Sequence, residues 1–100
     1  MLDPVMEARF IELEVRLDEL MALLDRVGER FWRRMIGRYL PEVRARRLTG
    51  VTGVLGCFGG QDTFSDLTVG YDLDARRLAA LRTAIFDVAN GIAADSAGSR

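Results

Sequence analysis

A chain of 100 residues can enclose one modest core, so a single domain is expected. Its net charge of −1 supplies no overall field toward nucleic acid or an anionic membrane, and the absence of histidine removes the commonest general base and transition-metal ligand. A single cysteine excludes an intrachain disulfide, while 49% hydrophobic residues and a mean hydropathy of +0.06 leave an apolar surplus that so small a domain tends to place in an interface.

The first predicted element is one long helix from Pro4 to Val27, with Asp3 as N-cap and Pro4 in its first turn. Met6, Phe10, Leu13, Leu17, Leu20, Leu24 and Val27 recur in alternating steps of four and three, an a/d seam. Ile11, Met21 and Leu23 widen that stripe, as for a helix packed on two neighbours. Phe10, Leu13, Leu17, Leu20 and Leu24 are therefore the candidate self-association surface, and a homodimer is expected. Glu12 and Arg16 form an i,i+4 pair in the favourable order.

Gly28 suits the position just past that helix. A second helix is predicted over Glu29 to Leu40, with Phe31, Trp32, Met35, Ile36 and Tyr39 on its apolar side. Pro41 either kinks it or opens a new helix as its N1 residue, and Glu42 is spaced i,i+4 from Arg46. A short third helix, Gly50 to Cys57, follows Thr49 as N-cap. Gly50, Gly53 and Gly56 line one side of it, an arrangement that suits close approach of another backbone. Cys57, in an apolar setting, reads as a small buried hydrophobe.

Beyond the glycine-rich loop, Thr68 to Tyr71 reads as extended coil, because no second strand is present to pair with it. The last helix begins after Asp72 as N-cap, with Asp74 in its first turn and Leu78, Leu81, Ile85, Val88 and Ile92 as its stripe. Ala94 to Arg100 is small and polar and is expected to fray. The predicted fold is all-α: about four helices in a hairpin or bundle forming one domain over residues 1–94, with a frayed tail at 95–100.

All fourteen basic residues are arginine, which GC-rich coding explains more simply than phosphate reading, since lysine also binds phosphate. The charges are segregated. Residues 1–25 carry seven acids against Arg9 and Arg16, a net of −5, and residues 26–47 carry eight arginines against Glu29 and Glu42, a net of +6. Either two antiparallel neighbours neutralise each other, or a basic face awaits an acidic partner. Arg30, Arg33, Arg34 and Arg38 are the candidate basic face; with Trp32 and Tyr39 between them they could also stack nucleic-acid bases. Against that, Trp32 reads more simply as core.

Phe58-Gly59-Gly60-Gln61-Asp62-Thr63-Phe64-Ser65-Asp66-Leu67 is the segment whose residue types suit a special backbone. Its glycines permit a sharp turn, Phe58 and Phe64 anchor its ends in the core, and Thr63 or Asp66 caps exposed backbone N–H groups. As a phosphate cradle it lacks the lysine of a P-loop, and Asp62 would repel the anion. Asp62, Thr63, Ser65 and Asp66 could offer oxygen to a hard cation, but their spacing fits no known loop. Neither a metal nor a cofactor is expected, and with Cys57 lacking an activator no enzymatic constellation is assembled.

Residues Gly59 to Leu67 resemble the signature Gly-Gly-Met-Gly-Ser-Phe-Asn-Asp-Leu of a small bacterial domain family of unknown function. The likeness extends in element order from about Leu17 to Ala94: a leucine-rich helix, Gly28 followed by Trp32, then Leu55, Phe58, Gly59 and Gly60 as Leu-x-x-Phe-Gly-Gly. Gln61 and Asp62 depart from it. The resemblance implies the helical fold and a structural loop, and no activity.

The N-terminus lacks the basic and apolar regions of a signal peptide, and the longest uncharged run, Leu48 to Gln61, is too short and glycine-rich to span a membrane. A cytoplasmic protein acting through protein–protein contact is expected, either self-associating or neutralising a partner in the manner of an immunity protein or antitoxin. Nucleic-acid binding through the arginine-rich second helix is the alternative.

Overall fold

The computed structural model describes residues 3–58, 64, 67–68 and 72–98. Five α-helical segments make up its framework: α1 (Pro4–Val27), α2 (Arg30–Gly37), α3 (Leu40–Arg44), α4 (Leu48–Gly56) and α5 (Asp72–Gly98). The fold is all-α, with the long N-terminal helix bounded as its sequence predicts. Asp3 caps α1 by accepting a 2.8 Å hydrogen bond from the Met6 N–H. Gly28 ends it at φ +77°, and the Gly28 and Glu29 N–H groups donate to the carbonyls of Asp25 and Leu24. This is a Schellman motif, which needs a left-handed residue and so favours glycine.

α1 and α5 lie antiparallel, because Arg9 pairs with Asp95, Glu19 with Arg77 and Arg26 with Asp74. Phe10, Leu13, Leu17, Leu20 and Leu24 of α1 share one core with Leu78, Leu81, Ile85, Ala89 and Ile92 of α5. Ile36, Leu40, Val43, Val51 and Val54 complete that core from α2, α3 and α4. The candidate dimer surface is thereby corrected. No residue of the five-residue seam is more than 3% exposed, so the heptad repeat is filled by the chain's own helices.

Pro41 opens α3 instead of kinking a longer helix, so the predicted second helix divides after Gly37. α3 also ends in a Schellman motif: the Arg46 N–H donates to the Val43 carbonyl and the Arg47 N–H to that of Glu42. The left-handed position is occupied by Arg46, at φ +60°.

The glycine stripe of α4 divides by position. A Cβ on Gly50 would stand 2.8 Å from the Val43 nitrogen and the Glu42 Cβ, and one on Gly53 only 2.3 Å from the Tyr39 ring. Gly56, predicted to share this role, faces open space. Nor does Thr49 cap α4. The helix starts at Leu48 after Arg47, and the Thr49 hydroxyl donates instead to Glu42 Oε1 at 2.8 Å.

At the far end of the chain, Asp72 is already helical, so Asp72 and Asp74 both place carboxylates in the first turn of α5. The predicted tail begins as helix, with Ser99 and Arg100 outside the described residues. α5 continues to Gly98, held by the Arg9–Asp95 pair.

Candidate protein-interaction surface

The segregated charges mostly cancel within the molecule. Arg46 is the centre of this pairing. Its Nε lies 3.0 Å from Glu7 Oε1, its Nη2 2.9 Å from Glu7 Oε2 and its Nη1 3.0 Å from Glu14 Oε1. The guanidinium carbon also stands 6.0 Å above the centre of the Phe10 ring. These hydrogen bonds hold the Glu7 carboxyl below its ordinary range. Arg44 pairs with Asp18 at 2.7 Å and reaches Glu14 at 3.5 Å, and Arg33 pairs with Asp25 at 3.0 Å. Neither i,i+4 pair predicted within a helix forms. Arg16 turns to Glu19 instead of Glu12, and Arg46 leaves Glu42 for α1. Arg16 keeps to a neighbour within α1, three residues on, whereas for Arg46 the tertiary contact with Glu7 and Glu14 offers better-placed carboxylates than Glu42 does.

Of the five arginines without an ion pair among the described residues, Arg47 and Arg76 stand apart and the other three cluster at α2. Of the candidate basic residues, Arg33 is committed to Asp25, whereas Arg30, Arg34 and Arg38 are exposed and carry no ion pair among the described residues. Spaced four apart, they fall on one side of the helix. Phe31 shares that side and is 55% exposed, which corrects its expected place in the apolar stripe. Its spacing of three and seven residues from Arg34 and Arg38 was the signal available in the sequence. The opposite side buries Ile36 and half-buries Trp32 and Met35, so the tryptophan belongs to the packing and is not a free stacking platform.

Behind Phe31 runs a ladder of rings. Phe31 meets Trp32 edge-on with centroids 4.9 Å apart, Trp32 lies 5.7 Å from Phe64, and Phe64 meets Phe58 edge-on at 5.4 Å. Phe58 in turn contacts the partly exposed Phe86 beside an open cleft of about 290 Å³. Arg82 stacks over the fully buried Phe64 and donates to the Leu67 carbonyl. Of the predicted motif loop, Phe58, Phe64 and Leu67 therefore pack on the core, and the Phe64 N–H donates to the Cys57 carbonyl at 2.9 Å. Gly59, Gly60, Thr63 and Asp66 lie outside the described residues, as do Asp62 and Ser65.

Cys57 is buried, its thiol donating to the Gly53 carbonyl at 3.5 Å. Burial pushes its pKa up, against the opposing pull of the Arg38 charge. Among the described residues no group of three His, Cys, Asp or Glu side chains is placed to hold a metal ion, and no helix is long and apolar enough to cross a membrane.

Fold and surface together define a small all-α domain with one basic, partly aromatic face. No protein-family model, curated protein or solved structure matches the chain.

Proposed function

We propose that this domain is a protein-interaction module that binds a different protein through the outward face of α2. The observation that supports it is the combination of Arg30, Arg34 and Arg38, exposed and without ion pairs among the described residues, around the exposed Phe31, whereas Arg33, Arg44 and Arg46 of the same arginine-rich stretch are committed to carboxylates of α1. Arginine and aromatic residues are the side chains that most often carry binding energy at protein interfaces. With the α1 seam occupied from within, self-association has lost the surface that suggested it, and the chain on its own is a monomer in this reading. Neutralising a partner by covering its acidic surface is one biological form such a role takes. The likeness of the Gly59 to Leu67 segment to a bacterial family adds no ligand, and the proposal does not depend on it.

A second reading, single-stranded nucleic acid, has one observation in its favour: Phe31 among three cations is also a base-stacking arrangement. The test is co-purification of the tagged chain from its native host, beside a variant carrying Arg30→Glu, Arg34→Glu and Arg38→Glu. A stoichiometric protein present with the parent and lost with the variant is the expected result. Identical partners for both chains would overturn the proposal, as would nucleic acid as the sole species lost.

A further inference from the structure

We infer that the α2 face docks an acidic amphipathic helix, one that presents carboxylates at four-residue intervals beside an apolar side chain. The inference rests on the interaction reading above and adds the chemistry of the partner. Arg30 and Arg34 are separated by about 6 Å along the axis of α2, Arg38 at its C-cap continues the step in αR backbone, and a partner helix carrying Asp or Glu at four-residue intervals rises by the same ~6 Å. Three charge pairs then form in register, and the flexible arginine stems absorb the crossing angle. The planar guanidinium fork takes a carboxylate in two parallel hydrogen bonds, a geometry this molecule already uses between Arg46 and Glu7. Phe31, between the charges, supplies the apolar contact that makes the site more than an ionic one.

Charge complementarity decides against a second copy of the chain as occupant. Glu7, Glu14, Asp18, Glu19, Asp25, Asp74 and Asp95 are paired with the chain's own arginines, Asp3 caps α1 and Glu42 accepts from Thr49. The acids left over among the described residues, Glu12, Glu29, Asp72 and Asp87, do not form a four-residue series on any helix. Among the described residues the face has no complement in its own molecule. A nucleic-acid strand is disfavoured too, because the three cations of this face, unpaired among the described residues, neutralise few phosphates in a chain of net charge −1.

The test is fluorescence anisotropy with four labelled probes: a helical peptide with glutamates at four-residue intervals beside a leucine, the same composition with the interval broken, the same peptide with lysines for glutamates, and a mixed-sequence single-stranded oligonucleotide. The first peptide is expected to bind, and the broken-interval peptide to bind about tenfold more weakly, a factor equal to ~1.4 kcal/mol. The lysine peptide is not expected to bind the parent but to bind the triple Arg→Glu variant. Arg34→Glu and Phe31→Ala each weaken the first peptide by about tenfold while circular dichroism shows the fold intact, since both side chains are exposed. Equal binding of intact and broken-interval peptides would overturn the inference, and so would tighter binding of the oligonucleotide with a steep salt dependence. Failure of every peptide alongside a co-purifying protein that the triple variant loses would reject the acidic helix and leave the interaction reading standing.

Discussion

Arg46 holds a backbone conformation that a side chain disfavours, at φ +60°, and compensates with ion pairs to two helix-one carboxylates and a contact over Phe10. Replacing it separates the two effects. Arg46→Ala loses the pairs and keeps the left-handed strain, whereas Arg46→Gly loses the pairs and removes it. Arg46→Gly should therefore be the more stable of the two by about 1 kcal/mol in urea denaturation, and equal midpoints would show that the left-handed position carries no cost. The Glu7 carboxyl tests the same contact from the other side. Its folded pKa is depressed by the Arg46 hydrogen bonds, so its contribution is present above the ordinary carboxylate pKa and is lost as pH falls through the folded value. The melting temperature of Glu7→Gln should consequently approach that of the parent as the solution is acidified. A gap that stays constant from neutral pH to below the folded pKa would contradict this.

At the scale of the elements, the glycines of α4 offer three outcomes from one type of substitution. Gly56→Ala adds a methyl group in open space at a helical position and should stabilise by about 0.5–1 kcal/mol. Gly50→Ala pushes a methyl group against the α3 backbone and should destabilise by about 1–3 kcal/mol. Gly53→Ala meets the Tyr39 ring, which can give way more readily than backbone, and should fall between them. Thermal melts of the three variants give the ranking, and a stabilised Gly50→Ala would mean that α3 and α4 do not approach as described. The periodicity of the sequence shows that these residues share a side of the helix. It carries no information about how near the next element comes at each of them, because that distance is set by where Pro41 redirects the chain into α3.

For the whole molecule, the decisive question is what the heptad seam of α1 faces. Leu17 is fully buried within one chain, so Leu17→Ala should cost about 2–5 kcal/mol without altering the state of association. The melting temperatures of parent and variant should both be independent of protein concentration if the chain's own helices, which bury the seam, are all that stabilises it. A parent melting temperature that rises with concentration, with sedimentation equilibrium showing a dimer, would place a partner chain in the folding unit.

Local rules were enough for the helices themselves and for the ends of α1. The Asp3 cap, the Gly28 stop and the apolar stripes of α1 and α5 act within a few residues along the chain, over which side-chain spacing and backbone geometry are already determined. Charge segregation likewise announced the pairing between α1 and the arginine-rich stretch, though not its partners. Which carboxylate Arg46 selects, which side of α2 remains bare and whether an a/d seam closes within the chain or between chains depend on elements far apart in sequence. A heptad repeat records that a helix needs apolar neighbours, and α5 supplies them here; Arg30, Arg34 and Arg38 become a surface only because the arginines around them are neutralised across the fold.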